Sequence, residues 1–269
     1  MKGYTRPIQD QLAYVERLIT KAARTIQKSP EGCLIVRDKG SKTEWYMSRG
    51  EGRRVYLPKK EHALAQKLAQ TAYAREFLKK AEAVRKELKQ LEALGAERSA
   101  SVMYHALSGP YEKLSVPRKQ LVEAYVLPDE EFVKAWEQQA FEGKSFASDA
   151  PMYLTEKGER VRSKSEKMIA DKLYRMGLSY HYEQPLILKG IGRLYPDFTL
   201  LDIMERCIVI LEHYGLMDDP EYRKGTFWKI DQYEMNGFPL GTLLLCSFES
   251  AEHPLDLSSI EQMLCARFW

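Results

Sequence analysis

The most constraining feature of the sequence is a pair of strand-like runs, residues 198–201 and 207–211, on either side of a five-residue polar link. The link is too short for a crossover, so the two runs fold back as an antiparallel hairpin. A turn at Met204/Glu205 pairs positions whose numbers sum to 409, which sets Asp197 opposite Glu212. A slip of one residue would send the two to opposite faces. In this register they are cross-strand neighbours, with β-carbons about 5 Å apart. Adjacent carboxylates beside an apolar run either raise one pKa or bind a cation. Oxygen donors at that spacing suit Mg²⁺ or Mn²⁺, and the absence of clustered Cys and His argues against zinc.

The surrounding pattern reads α-β-β-β-α-β-α. Residues 163–176 have helical spacing and stop at Gly177. "SYHYEQPLIL", "RLYPDFTLL" and "RCIVILEHY" read as three strands, joined by turns at 189–192 and 202–206. Pro220 opens a helix that runs to Asn236-Gly237, and this helix can cross over to a parallel strand, "GTLLLCSF". A last helix starts near Asp256.

"YPDF" followed by "VILEHYG" in this frame resembles the PD-(D/E)XK nuclease superfamily, over about residues 159–248. The resemblance implies a restriction-endonuclease-like αβββαβ core, a mixed sheet flanked by helices, built around a divalent cation. Asp197 matches the Pro-Asp aspartate and Glu212 the second acidic position, but Tyr214 stands where the lysine is expected. A subset of the superfamily has a similar Glu-His-x-Gly signature, with its lysine moved to the following helix. Lys229 fits that role, because Tyr222, Thr226, Lys229 and Tyr233 share one helical face. Read without the resemblance, Lys229 is equally a surface lysine whose stem covers Tyr233.

The resemblance further implies that Glu166, on the first helix, and the backbone carbonyl of His213 join the metal site. Ser163-x-x-Glu166 is also a capping box, which gives the glutamate a purely local role. Glu183 is placed near the same face. Arg160, Arg162, Lys164, Lys167 and Tyr233 are the expected nucleic-acid contacts. The implied activity is Mg²⁺- or Mn²⁺-dependent hydrolysis of phosphodiester bonds, in DNA more than RNA. The alternatives are an inactive nuclease fold that binds nucleic acid, and a subunit of a larger nucleic-acid-processing complex.

The first half is an α+β region. Residues 8–28 form an amphipathic helix, 33–58 a small β-meander, and 59–94 a long helix. On the long helix Phe77, Ala81, Val84, Leu88 and Leu91 step by four and three, which either packs against the chain's own elements or pairs with a second copy. The expected domains are 1–95, a helical connector 96–150, and the nuclease-like part 151–269, with the boundary in the polar stretch 143–151. Residues 1–89 hold 21 Lys/Arg against 10 Asp/Glu, whereas 151–269 hold 14 against 18. A basic front end fits either a nucleic-acid partner or a solvated lysine-rich face. Four cysteines without CxxC spacing, no long apolar run and no leader-like start predict reduced thiols, no membrane span and a cytoplasmic protein.

Overall fold

The computed structural model describes residues 4–40, 42–49, 54–147 and 151–269. Its contacts group into two compact units, Thr5–Phe132 and Val133–Trp269 with Tyr4.

The first unit contains α1 (Ile8–Gln27), β1 (Cys33–Asp38), β2 (Thr43–Ser48), β3 (Arg54–Leu57), α2 (His62–Ala93), α3 (Ala100–Glu112) and α4 (Val116–Lys119). The three strands form the expected meander in the order β1-β2-β3. Ser41 and residues 50–53, in its turns, lie outside the described residues. Leu34, Met47 and Leu57 cover Ala65, Leu68 and Ala69 at the start of α2. Farther along α2, Phe77, Ala81, Val84 and Leu88 are buried in one cluster with Val15 of α1 and Met103 and Leu107 of α3. Of the two alternatives for the spacing on the long helix, packing against the chain's own elements is the one found at those four positions.

The expected connector is corrected. Residues 96–132 belong to the first unit, since Met103, Tyr104, Leu107 and Tyr125 share the core of α1 and α2. The division falls within α5 (Asp129–Glu137) rather than near residue 150. Residues 148–150 of the polar stretch lie outside the described residues.

The second unit opens with a short hairpin, β4 (Tyr153–Leu154) and β5 (Arg160–Val161), that the sequence pattern did not suggest. Then come α6 (Lys164–Arg175), β6 (Tyr180–Tyr182), β7 (Leu186–Leu188), β8 (Gly192–Leu194), β9 (Phe198–Asp202), β10 (Cys207–Tyr214), α7 (Pro220–Met235), β11 (Leu244–Phe248) and α8 (Leu257–Phe268). The main sheet has the order β11-β10-β9-β6. Strand β10 runs parallel to β11 and antiparallel to β9, so the sheet is mixed and the protein is α/β.

Two of the expected strands are each broken in two. Pro185 and Pro196 have no amide hydrogen to give, so a ladder cannot run through them. Glu183 adds a left-handed turn at φ 47°. As a result β7 and β8 leave the main sheet as a separate ribbon, while β6 and β9 stay in it.

Alternation along β10 sorts its side chains to two layers. Val209 and Leu211 join Ile169 and Leu173 of α6 and Ile260 and Leu264 of α8. Ile210 and Tyr214 face the other way and pack with Ile230 and Tyr233 of α7. Asp219 caps α7, its carboxylate accepting from the backbone N–H groups of Glu221 and Tyr222 at 2.8 and 3.3 Å.

At the turn end of the β9–β10 hairpin, Arg267 of α8 meets Asp202 at 2.7 Å, with both side chains 5% exposed. The guanidinium also donates to the carbonyl of Thr242 at 2.8 Å. Asp202 accepts from the N–H of Glu205 at 3.0 Å, which closes the turn. A buried pair that loses one partner leaves the other charge uncompensated. Arg267→Met should therefore cost about 3–5 kcal/mol in urea unfolding. Adding Asp202→Asn should recover part of the loss, and full additivity of the two changes would contradict the pairing.

Candidate active site

The register of the hairpin is the one the sequence implied. Cys207 pairs with Asp202 and Leu211 with Phe198, so the next step of the same ladder sets Glu212 beside Asp197. Asp197 lies one residue before β9, immediately after Pro196, and is held by β10: the His213 N–H donates to its Oδ2 at 2.8 Å. Glu212 is 1% exposed on the α7 side of the sheet, where burial leaves a carboxylate in need of partners.

Helix α7 supplies them. The Lys229 ammonium lies 2.7 Å from Glu212 Oε1 and 2.8 Å from Oε2. One turn farther on, the fully buried Tyr233 donates its hydroxyl to Oε1 at 2.5 Å. Asp197, Glu212, His213, Tyr214, Tyr222, Gly225, Thr226 and Lys229 line one open pocket.

The charges in this pocket are strongly coupled. Burial and the neighbouring Glu212 push Asp197 well above the usual carboxylate range, against the pull of Lys229 and the His213 N–H. Burial acts to lower Lys229, but Glu212 and Asp197 outweigh it and hold the ammonium charged. Burial and Glu212 likewise keep the Tyr233 hydroxyl protonated. Cys246, opposite Glu212 on β11, is pushed up to about 12 by burial first and by Glu212 second, so it remains a thiol. The Tyr214 hydroxyl is buried with no hydrogen-bond partner among the described residues, and its ring stacks on Phe248 at 5.6 Å.

The other expected residues are distributed differently. Glu166 sits on α6, the helix layer on the opposite side of the sheet from Glu212. Its Oε2 accepts from the Arg162 N–H at 2.9 Å and the Tyr182 hydroxyl at 2.7 Å, and Ser163 caps its own N–H at 3.1 Å. It adds only a lesser repulsion to Asp197 and does not line the pocket. Glu183 is clamped by Arg162 at 2.7 and 2.9 Å, while its N–H donates to the Asp197 carbonyl at 3.1 Å.

Of the expected nucleic-acid contacts, Lys164 is exposed at the start of α6. Arg160 and Arg162 both lie 4.4 Å from the centre of the Phe146 ring, and Lys167 pairs with Asp171 at 2.5 Å. Tyr233 is corrected: at 0% exposure it cannot meet a nucleic acid, and its hydroxyl serves Glu212 instead.

A second chain of polar groups was not foreseen. On the α6 side of β10 the His213 ring contacts Ser247 Oγ at 2.9 Å through Nδ1 and Glu249 Oε2 at 3.0 Å through Nε2. Ser165 donates to the same Glu249 oxygen at 2.7 Å. These contacts immobilise the strand residue whose N–H orients Asp197. Only the parallel pairing of β10 with β11 brings Glu249 there, and no local pattern announces it.

Three His, Cys, Asp or Glu side chains do not gather in a metal-holding group anywhere among the described residues. None of the helices is long and apolar enough to cross a membrane, among the described residues.

The chain is 38% identical over 88 residues to "Uncharacterized protein MJ1519" of Methanocaldococcus jannaschii, a match covering 32% of this chain and 7% of the relative. No protein-family model matches, and no solved structure does.

The coupling at Asp197 has a pH signature. A carboxyl whose folded pKa is raised stabilises the fold at low pH and loses that contribution as pH rises through the raised value. Asp197→Asn abolishes the ionisation, so in EDTA it should raise Tm at about pH 8, by about 2–4 °C for each 1 kcal/mol relieved. The gain should vanish near pH 4, close to the unfolded value. A difference from wild type that stays constant across this range would refute the coupling.

Proposed function

We propose that the protein is a divalent-metal-dependent nuclease that hydrolyses phosphodiester bonds in DNA, with Asp197, Glu212 and Lys229 as its reacting groups. The observation that carries this reading is the position of Lys229. A lysine on a helix meets a buried glutamate of the adjacent strand, next to a second carboxylate whose charge the fold resists. Two acidic oxygens and an ammonium in one pocket form the minimal apparatus for activating water beside a phosphate. The nuclease-like arrangement of the αβββαβ core belongs to the same proposal.

The residues present suit a magnesium-like ion. Asp197 keeps Oδ1 for a ligand, and Glu212 and the His213 carbonyl supply further oxygen. Mg²⁺ is commonly bound by one or two carboxylates plus water and substrate phosphate, so a third acidic side chain is not required. The strong upward push on Asp197 marks a place where added positive charge is favourable. When bound there, such an ion supplies Lewis acidity toward a phosphate oxygen and lowers the pKa of a bound water.

The chain's own groups do the rest. The Lys229 ammonium holds positive charge where a phosphate gains negative charge, and orients a water toward it. Tyr233 fixes Glu212 in one rotamer, and the His213 N–H does the same for Asp197. Glu166 supports the site through Tyr182 and Arg162. In this reading Lys164, which is exposed, would meet a phosphate directly, whereas Arg162 and Lys167 would first release Glu183 and Asp171.

One observation favours a second reading, a nucleic-acid-binding fold without chemistry: both oxygens of Glu212 already have protein partners. The two readings separate on labelled duplex and single-stranded DNA with Mg²⁺, Mn²⁺ or EDTA. Metal-dependent cleavage is expected, absent in Asp197→Ala and slowed about 10²–10³-fold in Lys229→Ala. Binding without cleavage by wild type, and no thermal stabilisation by either metal, would put the second reading in its place.

A further inference from the structure

Helix α1 carries a row of cations that the fold engages only in part: Arg17 lies 5.8 Å from the centre of the Tyr14 ring and Lys21 5.3 Å from that of Tyr125. Its apolar side, Leu12, Val15 and Ala22, is buried in the first unit's core. Its outer side presents Arg17, Lys21 and Arg24, and Lys28 follows as the residue that caps its C-terminus, all exposed and spaced four, three and four residues apart. That spacing puts them on one face, and residues 17–28 contain no Asp or Glu. Like charges three and four residues apart destabilise a helix, so the row holds three unfavourable neighbouring pairs. Among the described residues only Lys21 of the four has a carboxylate within 4 Å, Glu123 at 3.3 Å, and that side chain is 79% exposed.

The exposed face of α2 is an internal comparison. There Lys79, Lys80 and Lys86 alternate with Glu76 and Glu82 at helical spacing, and Lys79 lies 2.9 Å from Glu76. That is the ordinary pattern of a solvated helix. The α1 row lacks it.

We propose that the outer face of α1 is a docking surface for the sugar-phosphate backbone of duplex nucleic acid, engaged without regard to sequence. The four cations extend over about 16 Å at 1.5 Å rise per residue, about half a turn of duplex. No large apolar side chain is exposed on α1, among the described residues, so nothing is offered for insertion into a lipid surface or for stacking on unpaired bases. What remains is charge in a row, which is how backbone contacts are made. The choice of nucleic acid among polyanions rests on the nuclease reading above; the surface itself is separate from Asp197 and needs no metal.

The test measures anisotropy of a labelled duplex of about 20 base pairs in EDTA, as a function of NaCl, using the full chain. One variant carries Arg17→Ala, Lys21→Ala, Arg24→Ala and Lys28→Ala. A control of equal net charge carries Arg75→Ala, Lys79→Ala, Lys80→Ala and Lys86→Ala on α2. Alanine favours the helix at exposed positions, and an unchanged or raised Tm verifies that both variants fold. The α1 variant should lose at least 10-fold in affinity at 50 mM salt. Its slope of log K against log salt should be shallower by roughly 3 to 4. The control should stay within about twofold of wild type. Equal loss in both variants, an unaffected α1 variant, or a wild type that binds no duplex would overturn the proposal. So would loss of binding to phosphatidylserine vesicles with duplex affinity intact. Because the assay excludes metal, none of these outcomes bears on cleavage, which the Asp197→Ala comparison judges separately.

Discussion

The register of β9 against β10 is the constraint on which the second unit depends. It decides which residues of two largely buried strands face α6 and α8 and which face α7. Phe198, Leu200, Val209 and Leu211 go to the first layer. Asp197 and Glu212 go to the second, where they line a pocket with Lys229. A one-residue slip would put the two on opposite faces and drive one carboxylate into the apolar layer between sheet and α6. The penalty for such a slip makes the pairing specific. Both ends of the hairpin are tied by charge, through Lys229 at one and Arg267 at the other.

The electrostatics of the pocket follow from that placement. Two carboxylates approach within a region that excludes water on most sides, and one ammonium and one phenol compensate them. The compensation is unequal. Glu212 receives both donors from α7, whereas Asp197 receives a single backbone N–H, and the resistance to charge is accordingly marked at Asp197. The His213 ring, held between Ser247 and Glu249, gives that N–H a fixed direction. On the far layer, Glu166 is satisfied by Tyr182 and the Arg162 N–H, and Glu249 by Ser165 and His213.

Much of this was legible in the sequence where the signal was local. Helices α1, α2, α6, α7 and α8 and the β9–β10 pairing follow from apolar spacing, capping residues and a short turn. The division of two strands was not legible, because Pro185 and Pro196 lie inside runs whose composition is otherwise continuous. The status of residues 96–132 was hidden for a different reason: an amphipathic helix advertises that it packs, but not against what. Glu166 shows the same limit. Ile169, Ala170, Leu173 and Met176 share its helical face, which says that it faces the sheet but not which side of the sheet. Lys229 stood out only through the resemblance to a nuclease family, and Glu249 did not stand out at all, since only the parallel β10–β11 pairing brings it to His213.

Carrying Lys229 on α7 rather than on the strand would tie the proposed chemistry to local unfolding. Ile230 and Tyr233 anchor the same helix in the core that carries Lys229 to Glu212. If α7 loosens, the ammonium and the phenol depart together and two carboxylates are left facing each other. The attraction of the uncompensated Glu212 for the Lys229 ammonium favours closing the helix back onto the sheet. Segments of a protein differ in how readily they open, and reactive segments are usually among the looser ones. Here the charges that would do the chemistry also restrain the element that bears them.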